Sequence, residues 1–201
     1  DCAPTDPKAA SMEAMAGIDE AGVVVGVLDS PRFDVRTERE AMLAYLEEHG
    51  YVVVRDAFRE AGEDTQRSES LSTAEGLFWD FLEAIPGSAI DRADPATWTR
   101  ENGWLPSSDN GICGELGICH SDFMWKLRCL PVVREAFAAV WGDEDLIVSF
   151  DACNAFRPWK LNPAWRTTGG WWHVDQNSLK PNRQGRVCVQ GLLTLRDVTV
   201  D

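Results

Sequence analysis

The order of its segments constrains this chain more than any single motif. Helical periodicity dominates up to Trp141 and Gly142, and strand character takes over after it. Residues 146–156 (LIVSFDACNAF), 170–175 (GWWHVD) and 186–198 (RVCVQGLLTLRDV) each read as strands. Linkers carrying Pro158, Pro163, Gly169, Pro181, Asn182 and Gly185 separate them. Helices first and strands later predict an α+β arrangement, with the helices packed on one side of an antiparallel sheet.

The earlier part divides as follows. Residues 38–48 read as a helix with a Thr37–Glu40 capping box, an apolar stripe of Met42, Leu43 and Leu46, and Gly50 as its stop. Residues 51–54 (YVVV) read as a short buried strand, and 55–73 as loop and early helix. Residues 74–85 read as a helix closed by Pro86-Gly87. Residues 90–119, rich in Gly, Asn, Asp, Ser and Pro, read as an irregular excursion anchored by Trp98 and Trp104. Residues 121–129 read as a helix, and Pro131 suits the first turn of another that ends near Trp141-Gly142. The first 17 residues are small and polar. We expect an N-terminal extension over 1–35, one domain over 36–201, and a longer parent polypeptide cut at both ends.

Charge narrows the partners. With 19 Lys and Arg against 33 Asp and Glu, the formal charge is −14. Such a surface repels phosphate backbones and anionic lipid, so nucleic acid is not expected as a partner. No stretch is long and apolar enough for a membrane span. The six cysteines, at 2, 113, 119, 129, 153 and 188, form no C-x-x-C pair, and three lie in apolar segments. That pattern predicts reduced, mostly buried thiols in the cytoplasm or another reducing compartment. Cys113, Cys119 and His120 form a conceivable zinc set, although structural zinc spacing is usually tighter.

The segment with chemical content is GGWWHVDQN, residues 169–177. Side chains two apart on a strand share a face, so His173 and Asp175 project together and Val174 projects away. An imidazole nitrogen and a carboxylate oxygen so placed can hold adjacent positions on a metal ion. A second histidine would complete a two-His-one-carboxylate face with positions left open for a co-substrate and O₂. By itself H-x-D is a weak signal. The chain repeats it at His120-Ser121-Asp122, where Ser121 or Asp122 reads as a helix cap. A strand histidine can equally be a satisfied core or interface residue. Trp171 and Trp172 fall on opposite faces, so at most one lines a pocket.

Several stretches, in order, resemble the phytanoyl-CoA dioxygenase family of iron(II)/2-oxoglutarate oxygenases. REAMLAYLEEHGYVVVRDAF is similar to that family's opening helix and strand. SDFMWKLRCLPVVREAFAAVWG followed by DLIVSFDACNAFRPW resembles its middle, GGWWHVDQN its metal-binding strand, and VCVQGLLTLRDVT the next core strand. The resemblance covers residues 38–200. It implies a double-stranded β-helix (jelly-roll) core, of which this chain carries the first half with N-terminal helices packed on the sheet. It further implies Fe(II) held by His173 and Asp175, 2-oxoglutarate as co-substrate, and hydroxylation of a small organic or lipid-like substrate. Gln190 and Asn154 fall where such enzymes touch 2-oxoglutarate; as plain amides they would satisfy backbone groups inside the barrel. Arg157 and Lys160 could offer charge to a carboxylate, or serve as solvated loop charges.

One departure from that family is large. After Asp175 the 201 residues contain no histidine, whereas the family supplies a distal histidine and a 2-oxoglutarate-binding arginine downstream. A half-barrel would expose strand edges and an apolar face. The remainder is therefore expected from a continuation of the polypeptide or from a partner chain. Two other classes compete: a non-catalytic dioxygenase-like scaffold in a larger assembly, and a cupin-like sugar- or metal-binding domain.

Overall fold

The computed structural model describes residues 30–58, 64–105, 110–167, 173–177 and 179–196, with the side chains of 64–68 left aside. The chain divides into two compact units, Asp1–Arg55 with Thr194–Asp201, and Asp56–Leu193. Among the described residues no helix is long and apolar enough to cross a membrane.

Among its described residues the first unit is a small βαβ element. Strand β1 (Arg32–Phe33) pairs in parallel with β2 (Val53–Val54), Arg32 opposite Val53 and Phe33 opposite Val54. Parallel neighbours need a crossover, supplied here by helix α1 (Arg39–His49). The ladder thus takes in two residues of the stretch read as an extension. The expected Thr37–Glu40 capping box does not form. Instead, Asp34 Oδ1 accepts the N–H groups of Arg36 (2.8 Å) and Thr37 (3.2 Å), while Glu38 Oε2 accepts the N–H of Asp34 at 2.9 Å. Both donors belong to the turn before the helix, so Asp34 organises the approach to α1, and no side chain caps its first helical amides. Glu38 also pairs with Arg55 at 2.7 Å, whose Nη1 donates to Arg32 O, so the cap and the strand pair share one ionic link. Met42 is fully buried. Tyr45 stacks between Phe33 and His49, with ring centroids at 5.4 and 4.1 Å.

The second unit is built on helix α2 (Asp64–Glu83). Its Leu82 joins Ile90, Trp104, Leu105, Cys113 and Ile118 in a buried core, and Phe78, Trp79, Phe81 and Ile85 pack around it. The excursion over 90–119 is pinned by indoles. Trp98 stacks on Trp104 at 5.9 Å and on Trp165 at 6.3 Å, while Trp79 meets both Trp98 and Trp104. Arg157 enters this stack, its guanidinium 5.6 Å from Trp104 and 5.1 Å from Trp165, with Nη1 donating to Trp98 O at 2.7 Å. Reading Arg157 as a solvated loop charge is therefore corrected: a planar cation between indole faces gains cation–π attraction while donating to a carbonyl.

The loop after α2 is held by Arg92, whose guanidinium pairs with Glu83 and Asp80 and whose N–H donates to Glu83 Oε1 at 2.8 Å. Those donors hold the Glu83 carboxyl below its ordinary value of 4.5. A depressed folded-state value means stability that is present at neutral pH and lost as pH falls through it. Glu83→Gln is expected to lower the neutral-pH Tm by about 1–3 °C, because the pair is largely solvated. The gap between wild type and variant should close in acid melting curves; a gap that persists in acid would show that the ion pair is not its source.

Strand β3 (Ile112–Cys113) pairs antiparallel with β4 (Cys153–Asn154), Ile112 opposite Asn154 and Cys113 opposite Cys153. One residue before β3, Gly111 accepts the N–H of Ala155 at 2.9 Å. With φ +82° and the Phe156 ring 2.2 Å from where a Cβ would stand, only glycine fits that approach. Helices α3 (Asp122–Arg128) and α4 (Pro131–Trp141) lie between the two strands in sequence. Ser121 caps α3 by accepting from Met124 N–H at 3.3 Å, and Pro131 opens α4.

Where the sequence predicts strands, the ladder is much shorter. Of residues 146–156 only Cys153–Asn154 is paired, and residues 173–175 and 186–196 are not in strands. Residues 170–172, 197 and 198 of those segments lie outside the described residues. Alternating apolar residues prepare a strand, but its hydrogen bonds come from a neighbour distant in sequence, and among the described residues these segments meet one only at Cys153–Asn154. In consequence Ile147, Val148, Phe150, Phe156, Val187 and Leu192 stand exposed. The expectation of mostly buried thiols is corrected in the same way: among the described cysteines, Cys129 and Cys188 are exposed and only Cys113 is fully buried. Cys113, Cys119, Cys129, Cys153 and Cys188 are all free thiols.

Candidate functional site

The segment bearing the H-x-D motif is held by its neighbour, Gln176. The side-chain amide donates to Arg183 O at 3.1 Å and to Gly185 O, while its Oε1 accepts from Val187 N–H at 2.9 Å and Cys188 N–H at 3.2 Å. One side chain thereby bridges 173–177 to the start of 186–191. That second segment in turn rests on α4. Arg186 Nη1 donates to Val140 O at 3.4 Å, and the backbone of Gly191 runs so close to Phe137 that a Cβ would meet the ring at 3.0 Å.

This bridging brings three of the four sequence-nominated residues together. His173 Nε2 lies 3.2 Å from Asp175 Oδ1. The other carboxylate oxygen, Oδ2, accepts from Gln190 Nε2. The imidazole side chain is 50% exposed and the carboxylate 39%, so an ion arriving from solvent can reach both. Gln190 thus touches the carboxylate itself. It fixes the plane of Asp175 so that Oδ1 faces the imidazole, as outer-sphere partners of ligating carboxylates do.

Asn154 is placed elsewhere. It is exposed on β4 opposite Ile112, and among the described residues its side chain has no hydrogen bond to His173, Asp175 or Gln190. Trp171 and Trp172 lie outside the described residues, and Lys160 is exposed. The second H-x-D is a structural one: the His120 ring packs on Phe150 at 4.3 Å, and Ser121 serves as the cap. The zinc set is not assembled, since Cys119 Sγ bonds Gly114 O at 3.9 Å and Cys113 faces Cys153. Among the described residues no group of three His, Cys, Asp or Glu gathers to hold a metal.

Two residues escaped sequence reasoning. Gln176 left one signal, an amide at the alternate position where a half-buried strand would carry an apolar side chain. Arg128 left none. It donates to Cys119 O at 2.6 Å and to Asp151 O at 2.7 Å, tying α3 to the approach of β4. Gln176→Ala should free the amides of Val187 and Cys188, raising their hydrogen-exchange rates about tenfold relative to α4 amides. Unchanged exchange would show that other contacts hold the segment.

The fit of a ferrous ion can be judged from the donor set. With metal–ligand bonds of about 2.1 Å, adjacent octahedral positions stand about 3 Å apart. The 3.2 Å separation of Nε2 and Oδ1 matches that edge. These two side chains are thus spaced as neighbouring ligands of such an ion would be, and among the described residues no third His, Cys, Asp or Glu joins them.

Comparison with known proteins gives distant relatives. The chain is 36% identical over 104 residues to "Ava biosynthesis cluster protein O" of Aspergillus versicolor, covering 52% of this chain and 31% of that protein. It is 26% identical over 156 residues to a "Putative phytanoyl-CoA dioxygenase" of Dictyostelium discoideum, covering 75% of this chain and 41% of that one. The chain thus spans less than half the length of these curated relatives. No family model and no solved structure matches it.

Proposed function

We propose that this chain carries part of an iron(II)- and 2-oxoglutarate-dependent oxygenase acting on a small organic or lipid-like molecule, with His173 and Asp175 as two iron ligands. The observation that carries the reading is the 3.2 Å approach of imidazole to carboxylate, with Gln190 on the far carboxylate oxygen. The relation to a protein named as a phytanoyl-CoA dioxygenase supports it from an independent direction. In this reading the strand-like segments between 146 and 198 belong to the first half of a double-stranded β-helix. The third ligand and the arginine for 2-oxoglutarate come from outside these 201 residues.

Each residue has a definite task. His173 presents Nε2, so its proton must reside on Nδ1 when the ion is held. Asp175 presents Oδ1 and neutralises one of the ion's charges, while Gln190 keeps Oδ2 occupied and the carboxylate from rotating. Gln176 holds the two segments in register from behind. When bound, Fe(II) and 2-oxoglutarate supply with O₂ the oxidising power to hydroxylate an unactivated C–H bond.

Anaerobic titration of the full polypeptide with Fe(II) and 2-oxoglutarate tests the assignment. A weak visible charge-transfer band that saturates at one equivalent is expected. Absence of both the band and any heat of iron binding would overturn it. The exposed apolar row of Ile147, Val148, Phe150 and Phe156 favours a second reading, a non-catalytic subunit that buries this face in an assembly. Under that reading the same titration is silent.

A further inference from the structure

We propose that Cys113 and Cys153 are a redox modification site, closing a reversible cross-strand disulfide when the chain meets a hydroperoxide. The inference is independent of the oxygenase reading and rests on the β3–β4 ladder. Cys113 and Cys153 are directly opposed partners in that antiparallel pair, and both are free thiols. Opposed residues in such a ladder have Cα atoms about 4.5–5.5 Å apart, inside the range of about 4.4–6.8 Å that a disulfide requires. As opposed partners their side chains project to the same face of the ladder. Opposed Cβ atoms stand about 4.5–5.5 Å apart against about 3.5–4.5 Å in a disulfide, so bond formation needs side-chain rotation and a strand approach of about 1 Å or less.

The surroundings assign different parts to the two sulfurs. Cys113 is fully buried in the core beside Leu82 and Ile118, with its thiol also directed at Gly111 O at 3.8 Å. Cys153 is only partly buried, and the Cys113 S–H and the Arg128 guanidinium both favour its thiolate. A partly exposed thiolate beside a cation is the reactive kind, whereas an enclosed thiol resolves. Cys153 attacks the terminal oxygen of the hydroperoxide; the O–O bond breaks, alcohol leaves with the proton, and a sulfenic acid forms. Cys113 sulfur then displaces hydroxide from Cys153 sulfur, and that hydroxide takes the Cys113 proton to become water. Two thiols and one hydroperoxide give one disulfide, one alcohol and one water. Two equivalents of a thiol reductant reverse it.

Oxidation would lock β4, and with it Asn154, to β3 across the intervening α3 and α4. The test is to expose the folded chain to stoichiometric hydrogen peroxide, alkylate the remaining thiols, digest without reduction and map the peptides by mass spectrometry. The expected product is a Cys113–Cys153 linked pair lacking two hydrogens, with Cys119, Cys129 and Cys188 alkylated. A Tm rise of about 5–10 °C, abolished by dithiothreitol, should accompany it. Cys153→Ser and, should it fold poorly, Cys153→Ala should lose both the link and the Tm rise. Full alkylation of Cys113 and Cys153 after peroxide, a link joining either to Cys119, or a link formed only in denaturant would each overturn the proposal.

Discussion

Replacing His173 with alanine is expected to weaken Fe(II) binding by the full polypeptide on the order of 10²–10³-fold while leaving its Tm within about 1 °C. The two halves of this result come from different physics. In the proposed role His173 ligates the ion directly, and losing such a ligand exceeds the 10–100-fold typical of outer-sphere partners. Stability is spared because the His173–Asp175 contact is half in solvent, and exposed pairs contribute only about 0–1 kcal/mol. Isothermal titration with Fe(II) under anaerobic conditions, paired with a thermal melt, reads both. Gln190→Leu should fall between, losing about 10–100-fold because Oδ2 of Asp175 is released. Undiminished iron affinity in His173→Ala would reduce the motif to a surface ion pair.

The largest effect on folding is expected at Trp104. Its indole is 5% exposed, stacks on Trp98, faces Trp79 and supports the Arg157 guanidinium. Truncation to alanine removes a large buried surface and leaves a cavity that α2 cannot close by itself, at a cost of about 3–5 kcal/mol. For a chain of this size that corresponds to a Tm lower by roughly 8–15 °C. Arg157 would lose one of its two indole faces, so Arg157→Lys should be less damaging in the Trp104→Ala background than in wild type. Additive effects in that double-mutant cycle would show that the stack and the cation act separately.

Much of the helical part was legible because its signals are local. Pro131 at the first turn of α4 and Gly142 at φ +67° after its last bound that helix as the sequence predicts. Ser121 announced α3 for the same reason. Local reasoning failed at the start of α1, where the polar side chain that orders the backbone is Asp34 in the preceding turn, accepting the Arg36 and Thr37 amides, and the helix itself has no side-chain cap. The indole-anchored excursion was also legible as irregular, but which tryptophans stack was not. Trp165 reaches Trp98 from 67 positions away, and no spacing rule spans that separation.

Strands carry the opposite lesson. Residues 186–196 have the alternation of a strand and lack its ladder, since composition can prepare an extended segment but cannot provide the neighbour that bonds it. At the candidate site, alternation predicts that His173 and Asp175 share a side; the two do approach to 3.2 Å, although residues 173–175 form no strand. Tertiary structure decided the rest: Gln190 arriving on Asp175, Gln176 joining two segments, and Cys113 meeting Cys153. Each is a contact between residues from about ten to forty positions apart, set by where α4 and the β3–β4 pair place the backbone. Sequence determined the chemistry available on each segment through periods of two and of 3.6 residues. Only folding could choose which chemistries meet, because the hydrogen bonds and packing that join them lie outside the range of either period.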